Sequence, residues 1–248
     1  MNNSDPGLIS LFATRSNFSK TDYSLAIRFA PILMFDKHEP FLPLAVGYSI
    51  IRNNIQSPSF ARRIEVAEIG RSAPASIIEY AIWWTWDIVH LFELEHIWLA
   101  LDVNEQIIGV EASWHGNVHD MMMPDGSLPL NNGRVMLYSE PGKHAFSPVK
   151  EISHDHIIRS RQLCSQMAGT GGLLVTPLFE KFRFLKTRRT DQLVSSFLKK
   201  QAFEPSFNFG QSFLISADIL VPWPDLSTWI PGHLFQVIDR LKNNISTD

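Results

Sequence analysis

The chain is short of several things that usually announce a function. A single cysteine, Cys164, in 248 residues excludes an intramolecular disulfide. Its setting, "IIRSRQLCSQMAG", is apolar at helical spacing and holds no activating base, so a buried structural thiol is expected. Charge is sparse at 19%, and the formal net charge of −3 lacks the basic surplus that a polyanionic partner demands. The basic cluster "KFRFLKTRR", Lys181 to Arg189, reads as a solvated face, so no nucleic-acid partner is expected. No window reaches the ~18 uninterrupted apolar residues of a membrane-spanning helix. The polar start "MNNSDPGLISLFATRSNFSK" has neither the basic n-region nor the apolar run of about 7–15 residues of a secretory leader. The expectation is a cytoplasmic protein without a transmembrane segment.

What is present is ample core-forming material, 45% hydrophobic and 11% aromatic, enough for a sizeable interior at this length. Residues 1–20 are polar and expected to be loosely ordered, with a single domain over 21–248. In "LAIRFAPILMFDKHEPFLPLAVGYSII", Pro31, Pro40 and Pro43 break short apolar pieces, which points to strand and loop rather than helix. From Ser76 to His115, Ile, Val, Trp and Tyr dominate and the polar turn "DVNEQ" divides two strand-like runs. "RVMLYSE" (134–140) reads as a further strand. From Val149 the spacing turns helical, in "EISHDHIIRSRQLCSQMAG", "TDQLVSSFLKKQAF" and "WIPGHLFQVIDRLKNN". The fold class is α+β, a β-rich core over about 25–148 with helices added over about 149–248.

The stretch "TWDIVHLFELEHIWLALD" stands out because it places Asp87, His90, Glu93, Glu95 and His96 inside one of the most apolar parts of the chain. An ionised carboxylate taken out of water must find a partner or a proton. Read as a strand, residues 93–101 alternate between faces, so Glu93 and Glu95 share a side with Ile97, Leu99 and Leu101. If the chain folds back over "DVNEQ" with Leu101 opposite Ile107, Glu95 lies opposite Ser113 and Glu93 opposite His115, with Cβ atoms about 5 Å apart. Two carboxylates and an imidazole on one side suit a divalent cation, with Asp87 and His90 bending in from the preceding loop. Mg²⁺, Ca²⁺ or Mn²⁺ fits if oxygen donors dominate, and Zn²⁺ or Fe²⁺ if two histidines enter. Solvated edge ion pairs are the plain alternative.

The same residues resemble a known family. Necrosis- and ethylene-inducing-protein-like proteins carry a GHRHDWE heptapeptide after an aromatic strand ending in Asp, and their superfamily, with its vacuolar-protein-sorting-type relatives, keeps H-x-x-D-W-E before an aliphatic strand. In "WWTWDIVHLFELEHIWLALD", Asp87 falls on that Asp, His90 on the first motif His, Glu93 on the motif Asp and Glu95 on the motif Glu. "FAPILMFDKHEPFLP", "EASWHG" and "RVMLYSEPGKHAF" resemble further superfamily segments in the same order, over roughly 25–148. Phe92, Glu93 and Leu94 depart from the motif's His, Asp and Trp. The resemblance implies an antiparallel β-sandwich core, a cation held by Asp87, His90, Glu93 and Glu95, and His144 near the same cleft.

The expectation is therefore a divalent-cation-binding β-sandwich with a polar cleft for a small polar or anionic ligand, such as a glycan or a head group. The alternative is a metal-dependent hydrolase of an ester or phosphoester, in which the cation acidifies its bound water and His115 or His144 is the general base. A structural or interaction protein without metal is the third reading. His119 and Asp120 are candidates to orient His115. "GTGGLLVTP" (169–177) lacks the Lys-Ser/Thr of a phosphate loop and reads as a helix stop and turn.

Overall fold

A computed structural model describes residues 19–66 and 74–244. Two sheets face each other across a core of aromatic and aliphatic side chains. The larger sheet runs β14-β2-β5-β6-β7-β8, and the smaller runs β11-β10-β1-β13 with β9 beside β10. In chain order the strands are β1 (Ile32–Phe35), β2 (Ala45–Ile51), β3 (Ile55–Gln56), β4 (Arg63–Ile64), β5 (Ser76–Trp86), β6 (His90–Leu101), β7 (Ile107–Trp114), β8 (Asn117–Asp120), β9 (Leu130–Asn131), β10 (Arg134–Ser139), β11 (Phe146–Ser147), β12 (Gly172–Leu173), β13 (Gln211–Leu214) and β14 (Leu220–Pro222). The helices are α1 (Lys20–Phe29), α2 (His154–Cys164), α3 (Arg188–Lys199) and α4 (Trp223–Asn244), with a 3₁₀ segment over Pro177–Leu185. The antiparallel β-sandwich with added C-terminal helices is thus observed. Among the described residues three pairings are parallel: β1 with β10, β14 with β2, and β12 with β6.

The long central pair makes the core. β5 and β6 align from Ser76 opposite Leu101 to Trp86 opposite Leu91, and opposed residues share a face. Ile78, Tyr80, Ile82 and Trp84 therefore join Ile97 and Leu99 against Leu33, Phe35, Val135, Leu137 and Phe146 of the other sheet, all buried in one cluster. The opposite face of the central pair carries Ile77, Trp98 and Ala100, covered by Ile64 and Phe60 from the β3–β4 hairpin. Burial on both faces explains why "SIIEYAIWW" is apolar almost throughout rather than alternating.

Two expectations are corrected. Residues 25–29, expected as strand or loop, lie in the helix Lys20–Phe29: Ser19 caps it, its hydroxyl accepting from Asp22 N–H, and the helix ends before Pro31. The prolines lie beyond the helix, and the S-x-x-D cap is the start signal that outweighs them. Of the segment expected to be loosely ordered, residues 1–18 lie outside the described residues, while Ser19 and Lys20 open α1. The register of the second hairpin also differs. Leu101 does face Ile107, but a bulge between Ala100 and Leu101 shifts the ladder so that Leu99 faces Val110 and Ile97 faces Ala112. That is one residue away from the expected alignment, because an extra residue on one strand offsets everything beyond it.

The helical additions pack on the sandwich. Gly47 in β2 lets α4 approach the sheet; a Cβ there would meet Trp223 Cε3 at 2.9 Å and Leu226 Cδ2 at 3.1 Å. Cys164 ends α2 buried, its Sγ 3.3 Å from the Pro141 carbonyl. Burial pushes its thiol well above the usual range, which matches an inert thiol. Among the described residues no helix is long and apolar enough to cross a membrane.

Candidate functional site

The acid-rich stretch lies where β5 turns into β6, and the turn is built by Asp87 itself. Its Oδ1 accepts from Val89 N–H at 2.6 Å, and its own N–H donates to the His90 carbonyl at 3.0 Å. This is the local side-chain-to-backbone bonding that favours Asp in turns. A second turn, Glu140 to Ala145, docks on the first: Ile88 N–H donates to the Gly142 carbonyl at 2.9 Å. Gly142 has φ +70°, and a Cβ on it would come within 2.7 Å of Ile88 Cγ2 and 2.8 Å of Cys164 Sγ, so the position requires glycine. Its N–H donates to Glu39 Oε2 at 2.7 Å. The glutamate of "EPFLP" thereby anchors the turn that carries Lys143.

Asp87, His90 and Glu93 each offer one ligand atom, and these atoms lie within 4.8 Å of one another. His90 Nδ1 is 2.8 Å from the Phe92 carbonyl. A carbonyl only accepts, so Nδ1 carries the proton and Nε2 in the neutral ring presents a lone pair. That Nε2 is 3.7 Å from Asp87 Oδ1 and 3.7 Å from Glu93 Oε2. Phe92, at φ 58°, lies in the left-handed region that bulky residues rarely enter. Its ring is stacked on Trp83 at 4.9 Å between centroids and meets Phe179 edge-on. Where the motif has its second histidine, this chain has a core aromatic.

Lys143 is the group that sequence reasoning missed. Its Nζ donates to Asp87 Oδ2 at 2.6 Å, lies 3.2 Å from His90 Nε2 and is 4.0 Å from Glu93 Oε2. The one available signal was its place in "EPGKHAF": a buried lysine directly after a turn glycine.

Glu95 is not among the three converging donors. It is 2% exposed, and its carboxylate is held by the Ser113 hydroxyl and by His115 N–H at 3.4 Å. Despite the shifted register Ser113 still serves Glu95, because its Oγ also accepts from His96 N–H at 2.6 Å and so bridges both neighbours. His115 sits in the β7–β8 turn at φ 50° rather than in a strand opposite Glu93. Its Nε2 lies 3.0 Å from Glu140 Oε2. His144 is fully buried. Its ring lies flat on Trp84, with centroids 4.6 Å apart and planes 5° from parallel, and its Nε2 faces Glu39 Oε1 at 3.4 Å.

Charges in this cluster strongly bias one another. For Asp87, burial raises the carboxyl pKa, but His90, Lys143 and His144 outweigh it and leave it below the ordinary range. Burial raises Glu93, with Glu95 and Asp87 adding to the effect. Burial also raises Glu95, against the Ser113 hydrogen bond. Burial would lower Lys143, yet Asp87 and Glu93 hold it above its usual value, so it stays an ammonium. Burial would likewise lower His115, but the Glu140 hydrogen bond and charge raise it. Beyond His115, the half-buried Trp114 ring is bordered by His115, His119 and His156 at centroid distances of 6.3, 5.9 and 5.7 Å. His115 thus links Glu95, through its N–H, to the aromatic group around Trp114.

No protein-family model matches the chain, and the comparison with curated proteins gives no match. Solved structures that resemble it include NLPPya in complex with glucosamine, with 15% identity and a TM-score of 0.36, covering 77% of this chain and 92% of that one. NLPPya in complex with mannosamine aligns over the same shares at 16% identity and a TM-score of 0.36. A structure described as "Toxin fold as basis for microbial attack and plant defense" aligns at 13% identity and a TM-score of 0.31, covering 74% of this chain and 94% of that one. These are necrosis- and ethylene-inducing-type proteins, the family that the sequence resembles. The likeness is remote, and the reading of the site rests on the side chains of this chain.

Proposed function

We propose that the protein binds a divalent cation through Asp87, His90 and Glu93 and uses that site to take up a small polar ligand. The observation that carries the reading is the convergence of the three donor atoms, within 4.8 Å of one another, at a place where burial otherwise penalises two acids. The donor set of two carboxylate oxygens and one imidazole nitrogen fits Mn²⁺, Mg²⁺ or Ca²⁺, with Zn²⁺ as the nitrogen-rich alternative. A cation here would offset the repulsion between Asp87 and Glu93 and offer positive charge to ligand oxygens. Glu95 adds negative charge behind the donors and orients the start of the β7–β8 turn. Trp114 supplies a flat apolar face for the ring of a sugar, which makes a glycan the preferred ligand class.

Hydrolysis is the rival reading, and His115 is the residue it would use. Its side chain is 29% exposed and paired with Glu140, as a general base needs, whereas buried His144 does not suit that role. Calorimetric titration with Mn²⁺ or Ca²⁺ tests the main proposal. Wild type is expected to bind one ion, and Asp87→Asn/Glu93→Gln to lose at least about 100-fold in affinity. Equal heats from both proteins, or no heat from either, would refute it. Turnover of a chromogenic ester or phosphoester that disappears in His115→Gln, with ion binding intact, would favour the hydrolase.

A further inference from the structure

We infer that Lys143 is a tethered cation occupying the ion's position, and that a divalent ion enters only by displacing it. This rests on the reading of Asp87, His90 and Glu93 as the ion's donors. The geometry leaves no room for both. The Lys143 Nζ bonds Asp87 at 2.6 Å, touches the lone-pair nitrogen of His90 at 3.2 Å and stands 4.0 Å from Glu93. An ion held about 2.0–2.6 Å from the same atoms falls within the space the ammonium fills. Two positive groups at such separation would also repel strongly in a buried setting.

The backbone and the stem have different freedoms. The turn under Lys143 is fixed: Gly142 is locked to Ile88 and Glu39, and Lys143 N–H donates to the Glu140 carbonyl at 3.2 Å. The four-carbon stem, by contrast, is a flexible arm on that fixed base. Displacement therefore needs side-chain rotation alone. Glu140, whose charge Lys143 already feels, provides an acceptor toward His115 for the released ammonium.

A device of this kind determines specificity. The ammonium offsets part of the negative charge in the absence of metal, which limits the repulsion between Asp87 and Glu93. A monovalent ion exchanges one positive charge for another and gains little. A divalent ion brings a second charge and direct coordination to the same donors, and so wins the exchange. Lys143 thus sets a threshold that sodium and potassium do not cross.

Acetylation of wild-type protein by acetic anhydride, read at each lysine by peptide mass spectrometry, tests this alongside calorimetry of Lys143→Gln. Saturating Mn²⁺ is expected to raise the reactivity of Lys143 at least about tenfold, with Na⁺ having no such effect, and Lys143→Gln is expected to bind Mn²⁺ about tenfold more tightly than wild type. Binding by Lys143→Gln alone would overturn displacement, because the ammonium would then block the site outright, and would remove the proposed function from the wild-type protein. If wild type binds Mn²⁺ but Lys143 stays protected and Lys143→Gln binds no tighter, displacement is overturned and the donor assignment survives. Absence of binding in both proteins would overturn both.

Discussion

Replacing Lys143 with methionine is expected to lower the stability of the cation-free protein by about 3–5 kcal/mol, the range for removing one partner of a buried ion pair. Asp87 is fully buried, and apart from the ammonium its carboxylate has only the Val89 N–H as a close donor. Without Lys143 that charge is stranded next to Glu93, and the thioether that replaces the ammonium cannot donate a hydrogen bond. Urea unfolding followed by tryptophan fluorescence, with seven reporters in the chain, gives the measurement. Asp87→Asn/Lys143→Met should recover most of the loss, because the double change removes both charges together. Saturating Mn²⁺ should restore the single variant by mass action as the ion takes over the role of the amine. A loss below about 1 kcal/mol would place the pair in the solvent-exposed class instead.

The second large effect comes from the opposite face of the sheet and concerns pH. His96 is 1% exposed, its ring stacked on Trp98 and met edge-on by Phe60, and neither ring nitrogen makes a well-formed hydrogen bond. Burial pulls its pKa from 6.5 down to about 3, and the Ser59 backbone offsets only part of that. The unfolded chain therefore takes up a proton that the fold refuses. The stabilisation is complete above 6.5 and is lost as pH falls from there toward 3. Between about pH 7.5 and about pH 4.5 this single group should account for about 2.7 kcal/mol of lost stability. His96→Phe keeps the stack and removes the titration. Its stability should fall less than that of wild type over the same interval, by about that amount. Parallel pH curves for the two proteins would show that the ring is solvated or partnered.

Nearby, Glu79 shows how a buried acid is satisfied without any ion. Ser57, Ser59 and Trp98 Nε1 all donate to its carboxylate, at 2.6, 2.6 and 2.7 Å. Against that fully partnered acid, the Asp87–Glu93 pair has two carboxylates and one lysine. The contrast is what makes the second cluster functional in character.

The alternation along β6 was legible because a period of two is local. Ile97, Leu99 and Leu101 announce an inward face, and Glu93 and Glu95 must share it whatever lies elsewhere. The helices α2 and α3 were legible for the same reason, through apolar residues at helical spacing behind Ser153 and Thr187 caps. What was not legible depended on distant or subtle choices. The bulge at Ala100/Leu101 moves the β7 register by one residue, yet no composition signal marks it. Lys143 lies 56 residues from Asp87, brought there by a turn whose shape depends on Gly142 and Glu39. No periodicity links those positions. Helix α1 was not legible because its signal is a single capping serine directly upstream, set against three prolines downstream. His144, expected near the same cleft, is buried against Trp84, close enough to Asp87 for its charge to act on that carboxyl.

The most direct measurement is a crystal structure of the protein soaked in Mn²⁺, read by anomalous scattering. The expected result is a peak within about 2.0–2.6 Å of Asp87, His90 and Glu93 donor atoms, with the Lys143 side chain turned away. Crystals at saturating Mn²⁺ that show no peak there, with the Lys143 ammonium still bonded to Asp87, would contradict the account.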